Sequence, residues 1–149
     1  MQDAALADSA EQREAEPWLV AALSKKLNVR LTNKRRLPLK EGGYVELDGC
    51  SESPPVLCEA WAHLGAPKPA QKNKVMTDAL KLLYASKLLK GKSRKILLFA
   101  DEKAANAFRG TSWRAQLLKE HNIELRVVEL PPRLRRKVKE AQVRQNRYG

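Results

Sequence analysis

Apolar residues follow two different spacings along this chain, and the spacings predict helices and strands in turn. Apolar positions three and four residues apart predict helices near 10–27, 69–89, 101–108, 112–121 and from 131 onward. Short apolar or alternating runs predict strands at 37–39, 44–49, 55–62, 95–100 and 123–129. This order predicts an α/β fold with a mixed central β-sheet flanked by helices and an α-β-β-β-α-β core.

Turn-forming residues set the expected boundaries. Glu41-Gly42-Gly43 predicts a hairpin turn between the first two strands. The basic stretch 33–36 is interpreted as an exposed turn before the first strand, and Gly49–Pro55 as the loop between the second and the third. The continuous apolar run 95–100 predicts a strand that is buried on both faces.

Composition indicates one globular domain. The chain has 149 residues, of which 43% are hydrophobic and 31% are charged. No apolar run approaches the roughly 20 residues that span a bilayer, and the first residues do not resemble a signal peptide. We therefore expect a cytoplasmic protein without a membrane partner. Three parts are predicted: a flexible acidic leader (1–10), the main domain (11–130) and a basic C-terminal helix (131–149).

The net charge of +12 points to a polyanionic partner. Residues 1–17 hold five acidic residues against one basic residue, whereas residues 131–149 hold seven basic residues against one acidic residue. The middle of the chain is also basic, so the tail alone does not account for the charge. We expect nucleic acid, DNA first, as the partner. An acidic protein partner and a charge adapted to solubility are the alternatives, and a homodimer stays open.

Two acidic residues in neighbouring predicted strands form a candidate metal site. Asp48 closes the second strand and Glu59 lies in the third. Simple alternation puts Asp48 on one strand face with Glu46, opposite Leu47. If the two strands pair, Asp48 and Glu59 converge, and their oxygens, a backbone carbonyl and waters make a reasonable shell for Mg²⁺ or Mn²⁺. Two solvent-exposed edge acids are the alternative.

The first turns of the helix that follows supply candidate cations. The apolar face of this helix is centred on Val75 and Ala79, and Lys72 falls on the same face one turn earlier. Lys72 is therefore the expected inward lysine, with Lys74 pointing outward as the reserve. Gln71 lies at the margin of this face. A lysine that snorkels into solvent is the alternative.

With these residues in view, the segment 48–100 resembles the core of the PD-(D/E)XK nuclease superfamily. The resemblance implies a restriction-endonuclease-like fold and a metal-dependent nuclease that cleaves DNA. Asp48 would be the family's metal-binding Asp, and Glu59 its metal-binding Glu. Gln71 resembles a glutamine that some members carry. An acid on the first core helix, which some members also have, would be Glu14 or Glu16, and the spacing does not choose between them.

One position departs from the family pattern, because Trp61 stands where the family lysine is expected. In some branches that lysine has moved to the following helix, where Lys72 or Lys74 would orient the water that attacks the phosphodiester. If neither does so, the chain is a non-catalytic nucleic-acid-binding module on the same fold. Trp61 itself is expected to lie in the core, with stacking on a nucleobase as the alternative.

Several other residues carry simpler expectations. Cys50 and Cys58 match no zinc-site spacing and are expected to be buried free thiols. Trp113 follows a helix-capping Ser112 and is expected to anchor its helix in the core. Nucleic-acid contacts are expected from two basic segments: Lys34, Arg35, Arg36, Arg133, Arg135, Arg136 and Lys137.

Overall fold

The computed structural model describes residues 9–148, which form one five-stranded sheet flanked by helices. The sheet order is β1-β2-β3-β4-β5; the first three strands are antiparallel neighbours, and β4 and β5 continue parallel to β3. The predicted α/β fold with a mixed sheet is therefore confirmed. The strands are β1 (Thr32–Pro38), β2 (Tyr44–Glu52), β3 (Pro55–Trp61), β4 (Arg94–Phe99) and β5 (Ile123–Val127). The helices are α1 (Ala10–Leu27), α2 (Pro69–Leu88), α3 (Glu102–Asn106), α4 (Trp113–Glu120) and α5 (Pro132–Tyr148).

Both faces of the sheet are buried, because helices cover each of them. One core cluster lies between the sheet and α2, α3 and α4, and a second lies between the sheet and α1 and α5. Successive residues of β3 divide between the clusters: Leu57 belongs to the first and Cys58 to the second. β4 is likewise buried on both faces, as its continuous apolar run predicts.

Helix α1 begins at a capping box. Ser9 accepts a hydrogen bond from the backbone N–H of Gln12, and the Gln12 side chain accepts one from the backbone N–H of Ser9. Ala10 therefore opens α1, as the helical spacing predicts, and Ser9 of the predicted leader is its cap. The rest of that leader, residues 1–8, lies outside the described residues.

Strands β1 and β2 are longer than predicted. Residues 33–36 are part of β1 rather than a turn, and β2 continues to Glu52 rather than ending before a loop at Gly49. The pairing explains the difference: Thr32 lies opposite Cys50, so the backbone hydrogen bonds of a two-stranded ladder stabilise a polar segment at the sheet edge. The predicted hairpin turn is present, with Gly42 and Gly43 both at positive φ.

Helices α4 and α5 differ in how well the sequence predicted them. Ser112 caps α4 as expected, but Trp113 is 60% exposed, so the prediction that Trp113 anchors the helix in the core was wrong. Ala115 and Leu118 are the buried residues of this helix, and Leu118 belongs to the core cluster under α2. In α5, which the sequence predicts as a basic helix, Leu134, Val138 and Ala141 are buried. None of the helices among the described residues has the length and apolarity that crossing a membrane requires.

Candidate active site

A cleft lies where β2 and β3 stop pairing. Their ladder runs from Glu52 opposite Pro55 to Gly49 opposite Cys58. At the next position, the backbone N–H of Ala60 donates to Asp48 Oδ2 over 2.8 Å, so a side chain replaces the backbone partner. The cleft has a volume of about 180 Å³. Its lining comes from α1, β2, β3 and α2: Glu16, Asp48, Glu59, Ala60, Trp61, Lys74, Asp78 and Lys81.

A break in the strand alternation brings Asp48 to this cleft. Leu47 and Cys50 are three residues apart, yet both belong to the core cluster under α2. Lys34, which the β1–β2 register places opposite Asp48, has a left-handed φ of 54°. A non-glycine residue in this conformation costs on the order of 1 kcal/mol and marks a local distortion. Simple alternation predicted that Asp48 lies on the face opposite Leu47, and this prediction was wrong.

Glu59 is a buried acid with an incomplete set of partners. Its side chain is 3% exposed, and its Oε1 lies 2.9 Å from Lys81 Nζ on α2. Apart from this contact with Lys81, Glu59 Oε1 has no hydrogen-bond partner among the described residues. A carboxylate oxygen accepts more than one contact, so Glu59 Oε1 has capacity for a further donor or a cation beside Lys81.

The environment of Glu59 favours its neutral form. The pKa of Glu59 is raised to about 10, mainly by burial and then by the negative charges of Asp48 and Asp78 and an interaction with the Asp48 carboxyl group, while Lys81 acts in the opposite direction. Burial also acts on Lys81, but the nearby carboxylates outweigh it, so the pKa of Lys81 is raised. The neutral form of Glu59 carries one proton, and a bound cation would take over the role of that proton.

Three charged residues of α2 form one stripe along the cleft. Lys74, Asp78 and Lys81 are spaced four and three residues apart, so they share a helix face beside the apolar one. The sequence reasoning missed Asp78 and Lys81, because it considered only the first turn of the helix. The spacing of four and then three residues from Lys74 to Asp78 and Lys81 is visible in the sequence and would have indicated both residues.

The structure separates the residues of the predicted site. Asp48, Glu59 and Lys74 line the cleft together, whereas Lys72 and Gln71 lie outside it. Gln71 instead belongs to a neighbouring cavity, where its Oε1 accepts a hydrogen bond from the backbone N–H of Lys68. The predicted orientations of Lys72 and Lys74 are thus reversed, because the cleft lies beside the apolar face of α2 rather than beyond its end.

The two candidate acids of α1 are also separated. Glu16 lines the cleft with Asp48. Glu14 lies on a different surface, 4.0 Å from Lys137 of α5. The helical spacing alone did not choose between them, and of the two only Glu16 lines the cleft.

Trp61 fills the position of the expected lysine with a core side chain. It is 5% exposed, and its ring stacks on that of His63 with 4.0 Å between the centroids. Lys74 Nζ lies 5.6 Å from the centroid of the Trp61 ring, a cation–π contact. The expectation of a core tryptophan is confirmed, and positive charge reaches the cleft from α2 instead.

The residues present fit a divalent cation with two carboxylate ligands. Asp48 and Glu59 supply hard oxygen ligands on the wall of a cleft of about 180 Å³, which has room for waters. No group of three or more His, Cys, Asp or Glu side chains within residues 9–146 is arranged to hold a metal. The remaining ligands would therefore have to come from water or the backbone.

The basic residues expected to bind nucleic acid lie on two surfaces. On β1, Arg35 pairs with Glu52 at 3.3 Å and Arg36 with Glu46 at 3.1 Å. Lys34, on the same strand, is exposed, as are three arginines of α5: Arg133, Arg135 and Arg136. Lys137 is partly covered beside Glu14.

The two cysteines are buried free thiols, as predicted. Cys58 lies on β3, and burial raises the pKa of its thiol strongly. The pKa of Cys50 is raised for the same reason. Neither thiol is therefore a ready nucleophile.

No protein-family model matches the chain, and neither a curated protein nor a solved structure matches it. The chemistry of the cleft therefore has to be derived from the residues of this chain.

Proposed function

We propose that the protein is a metal-dependent nuclease that hydrolyses DNA phosphodiester bonds in the cleft between β2, β3 and α2, with a core of the PD-(D/E)XK type. The observation that carries the proposal is that the carboxyl groups of Asp48 and Glu59 line one cleft, with Glu59 buried and its Oε1 2.9 Å from a lysine. Carboxylates next to a lysine in a concave site suit phosphoryl chemistry. The net charge of +12 supports a polyanionic substrate.

Asp48 and Glu59 are the residues that would hold Mg²⁺ or Mn²⁺. Asp48 is fixed in orientation by the Ala60 N–H, and Glu59 by its place in a central strand. The bound cation would act as a Lewis acid toward a phosphoryl oxygen. The lysine 2.9 Å from Glu59 is suited to orient the attacking water, so Lys81 replaces Lys72 in the proposed site.

The other charged residues of the cleft have supporting roles. Lys74 provides a second positive charge that offsets the charge developing on the phosphate. Glu16 and Asp78 add negative charge to the cleft. Before a metal is bound, the cleft should therefore attract a cation more strongly than it attracts a phosphate. The substrate would therefore bind most tightly after the cation.

The proposal is tested by incubating labelled duplex, branched and single-stranded DNA with Mg²⁺, Mn²⁺ or EDTA. The variants are Glu59→Gln, Lys81→Met and the control Glu120→Gln, whose exposed acid lies on α4 away from the cleft. We expect metal-dependent cleavage that falls by at least about a hundredfold in Glu59→Gln and Lys81→Met and is unchanged in the control.

Two results would contradict the nuclease proposal. Cleavage that persists in EDTA or in Glu59→Gln would place the chemistry elsewhere or in a contaminant. Salt-sensitive DNA binding without cleavage would favour the non-catalytic binding module, with the buried Trp61 marking a site that lacks its usual lysine.

A further inference from the structure

A second cavity lies beside the cleft and has a different chemistry. It has a volume of about 180 Å³ and no carboxylate in its lining. Its polar side chains come from the end of β3, the start of α2 and the last turns of α5: His63, Lys68, Gln71, Gln142, Gln145 and Asn146. Four of these six side chains are amides, which donate and accept hydrogen bonds without carrying charge.

The cavity and the cleft share one wall. Trp61 lines the cleft and His63 lines the cavity, and the two stacked rings separate them. Two residues of α1, one helical turn apart, also lie on either side of this wall: Glu16 lines the cleft, and Gln12 contacts His63 of the cavity. A polymer whose phosphate lies in the cleft would therefore place a neighbouring unit at the cavity.

The wall residue His63 is held in one tautomer. Gln12 is fully buried, and its Oε1 accepts the backbone N–H of Ser9, so its Nε2 faces His63 Nδ1 at 2.8 Å. Because an amide nitrogen donates, His63 Nδ1 accepts, and the ring proton of the neutral histidine lies on Nε2. The capping box of α1 thus fixes the orientation of the cavity wall.

The rest of the cavity is also preorganised by hydrogen bonds. Gln142 binds Leu64 twice: its Oε1 accepts from the Leu64 N–H and its Nε2 donates to the Leu64 carbonyl. Lys68 Nζ donates to Asn146 Oδ1 over 2.9 Å, which links α2 to α5. Gln71 Oε1 accepts from the Lys68 backbone N–H, so Lys68 binds the side-chain oxygens of both Gln71 and Asn146. The amide NH₂ groups of Gln71 and Asn146 have no hydrogen-bond partner among the described residues.

We propose that this amide-lined cavity binds one unpaired nucleotide next to the phosphate in the cleft, so that the substrate carries a single-stranded segment. Side-chain amides bind the hydrogen-bonding edges of bases, and Lys68 provides a charge for the adjoining phosphate. A base stacked inside a duplex cannot enter a cavity of this kind, whereas an unpaired base can. The inference rests on the proposed function, since it takes the cleft to bind a phosphodiester.

Binding is measured by fluorescence anisotropy with Ca²⁺ in place of Mg²⁺, so that a cation can occupy the cleft, and each probe is checked for cleavage after its titration. The probes are a blunt duplex, the same duplex with a single-stranded arm, and that armed duplex with abasic sites in the arm. We expect the armed duplex to bind about tenfold more tightly than the other two, which corresponds to one well-placed base contact.

Two isosteric variants test the cavity itself. Gln71→Glu and Asn146→Asp keep the oxygen that accepts from Lys68 and replace the unpartnered NH₂ donor by an acceptor. Both should reduce the preference for the armed duplex to within about twofold. Asn106→Asp is the matched control, because it adds the same charge on α3 and keeps the contact of Oδ1 with Arg109. Its preference for the armed duplex should stay at the wild-type value.

The inference and the proposed function fail in different ways. Equal binding of blunt, armed and abasic probes, or a preference that survives both isosteric variants, overturns the cavity as a nucleotide site even if the protein cleaves DNA. A preference for the armed duplex that the two variants abolish supports the cavity, even if no metal condition gives cleavage.

Discussion

Lys81 Nζ lies 2.9 Å from Glu59 Oε1, across the boundary between helix α2 and strand β3. The carboxyl group is 3% exposed, while the lysine side chain is 34% exposed. The lysine therefore reaches from the solvent to an acid whose neutral form is favoured by burial. This relationship joins the helix to the sheet at the centre of the proposed active site.

The protein should lose stability as pH rises, because of Glu59. The folded-state pKa of about 10 lies above the ordinary value of 4.5, so the folded protein binds more protons than the unfolded chain between these values. The stabilisation is complete below the ordinary pKa and is lost as pH rises through the folded one. The slope can reach about 1.4 kcal/mol per pH unit.

Urea unfolding at pH 6 and pH 9 in EDTA measures this slope. The variant Glu59→Gln keeps the shape of the side chain and cannot ionise, so its free energy of unfolding should change less between the two pH values. Equal slopes in wild type and variant would show that Glu59 is ionised throughout this range.

Mn²⁺ binding should depend on the same proton. Calorimetric titration should give tighter binding at pH 8 than at pH 6, since the cation replaces the proton of Glu59. Asp48→Asn and Glu59→Gln should each weaken binding by at least about tenfold. Binding of wild-type strength in Asp48→Asn would remove that residue from the metal site.

Two lysines of α2 offer a matched comparison. Lys74→Ala should lower cleavage by about tenfold or more, because its ammonium reaches the cleft. Lys72→Ala removes the same charge two residues away, outside the cleft, and should change cleavage by less than about twofold. A larger effect of Lys72→Ala would restore the orientation expected from the sequence.

Gly49 should not tolerate a side chain. A Cβ at this position would lie 2.6 Å from Cys58 Sγ and 2.9 Å from Val20 Cγ1, and both neighbours are buried. Gly49→Ala should lower the free energy of unfolding by about 1–3 kcal/mol in urea denaturation. In a double-mutant cycle, Cys58→Ala should recover part of this loss, whereas strictly additive effects would show that the contact with Cys58 is not the cause.

The salt dependence of DNA binding should separate the two basic surfaces. Arg133→Ala and Arg136→Ala on α5 should each reduce the slope of log affinity against log salt by up to about 0.9. Arg35→Ala and Arg36→Ala should reduce it less, because each arginine is paired with a glutamate. The opposite ranking would place DNA along β1 instead.

The sequence predicted the elements well where one periodicity dominates. The central strand β4 and the long helix α2 follow from apolar runs and helical spacing, because local burial decides both. Only the end of β1 was predicted, since its polar residues 33–36 are strand only through pairing with β2. Trp113 was misplaced because a cap predicts where a helix begins and not which side faces the core.

For the candidate site, the sequence by itself determined which residues could carry the chemistry: an acid on each of two adjacent strands and lysines on the following helix. Only the tertiary structure decided which of them meet. The break in β2 brings Asp48 to Glu59, and the packing angle of α2 brings in Lys74 and Lys81 rather than Lys72. A local pattern fixes the face of an element, but the position of that face relative to another element depends on how their side chains pack.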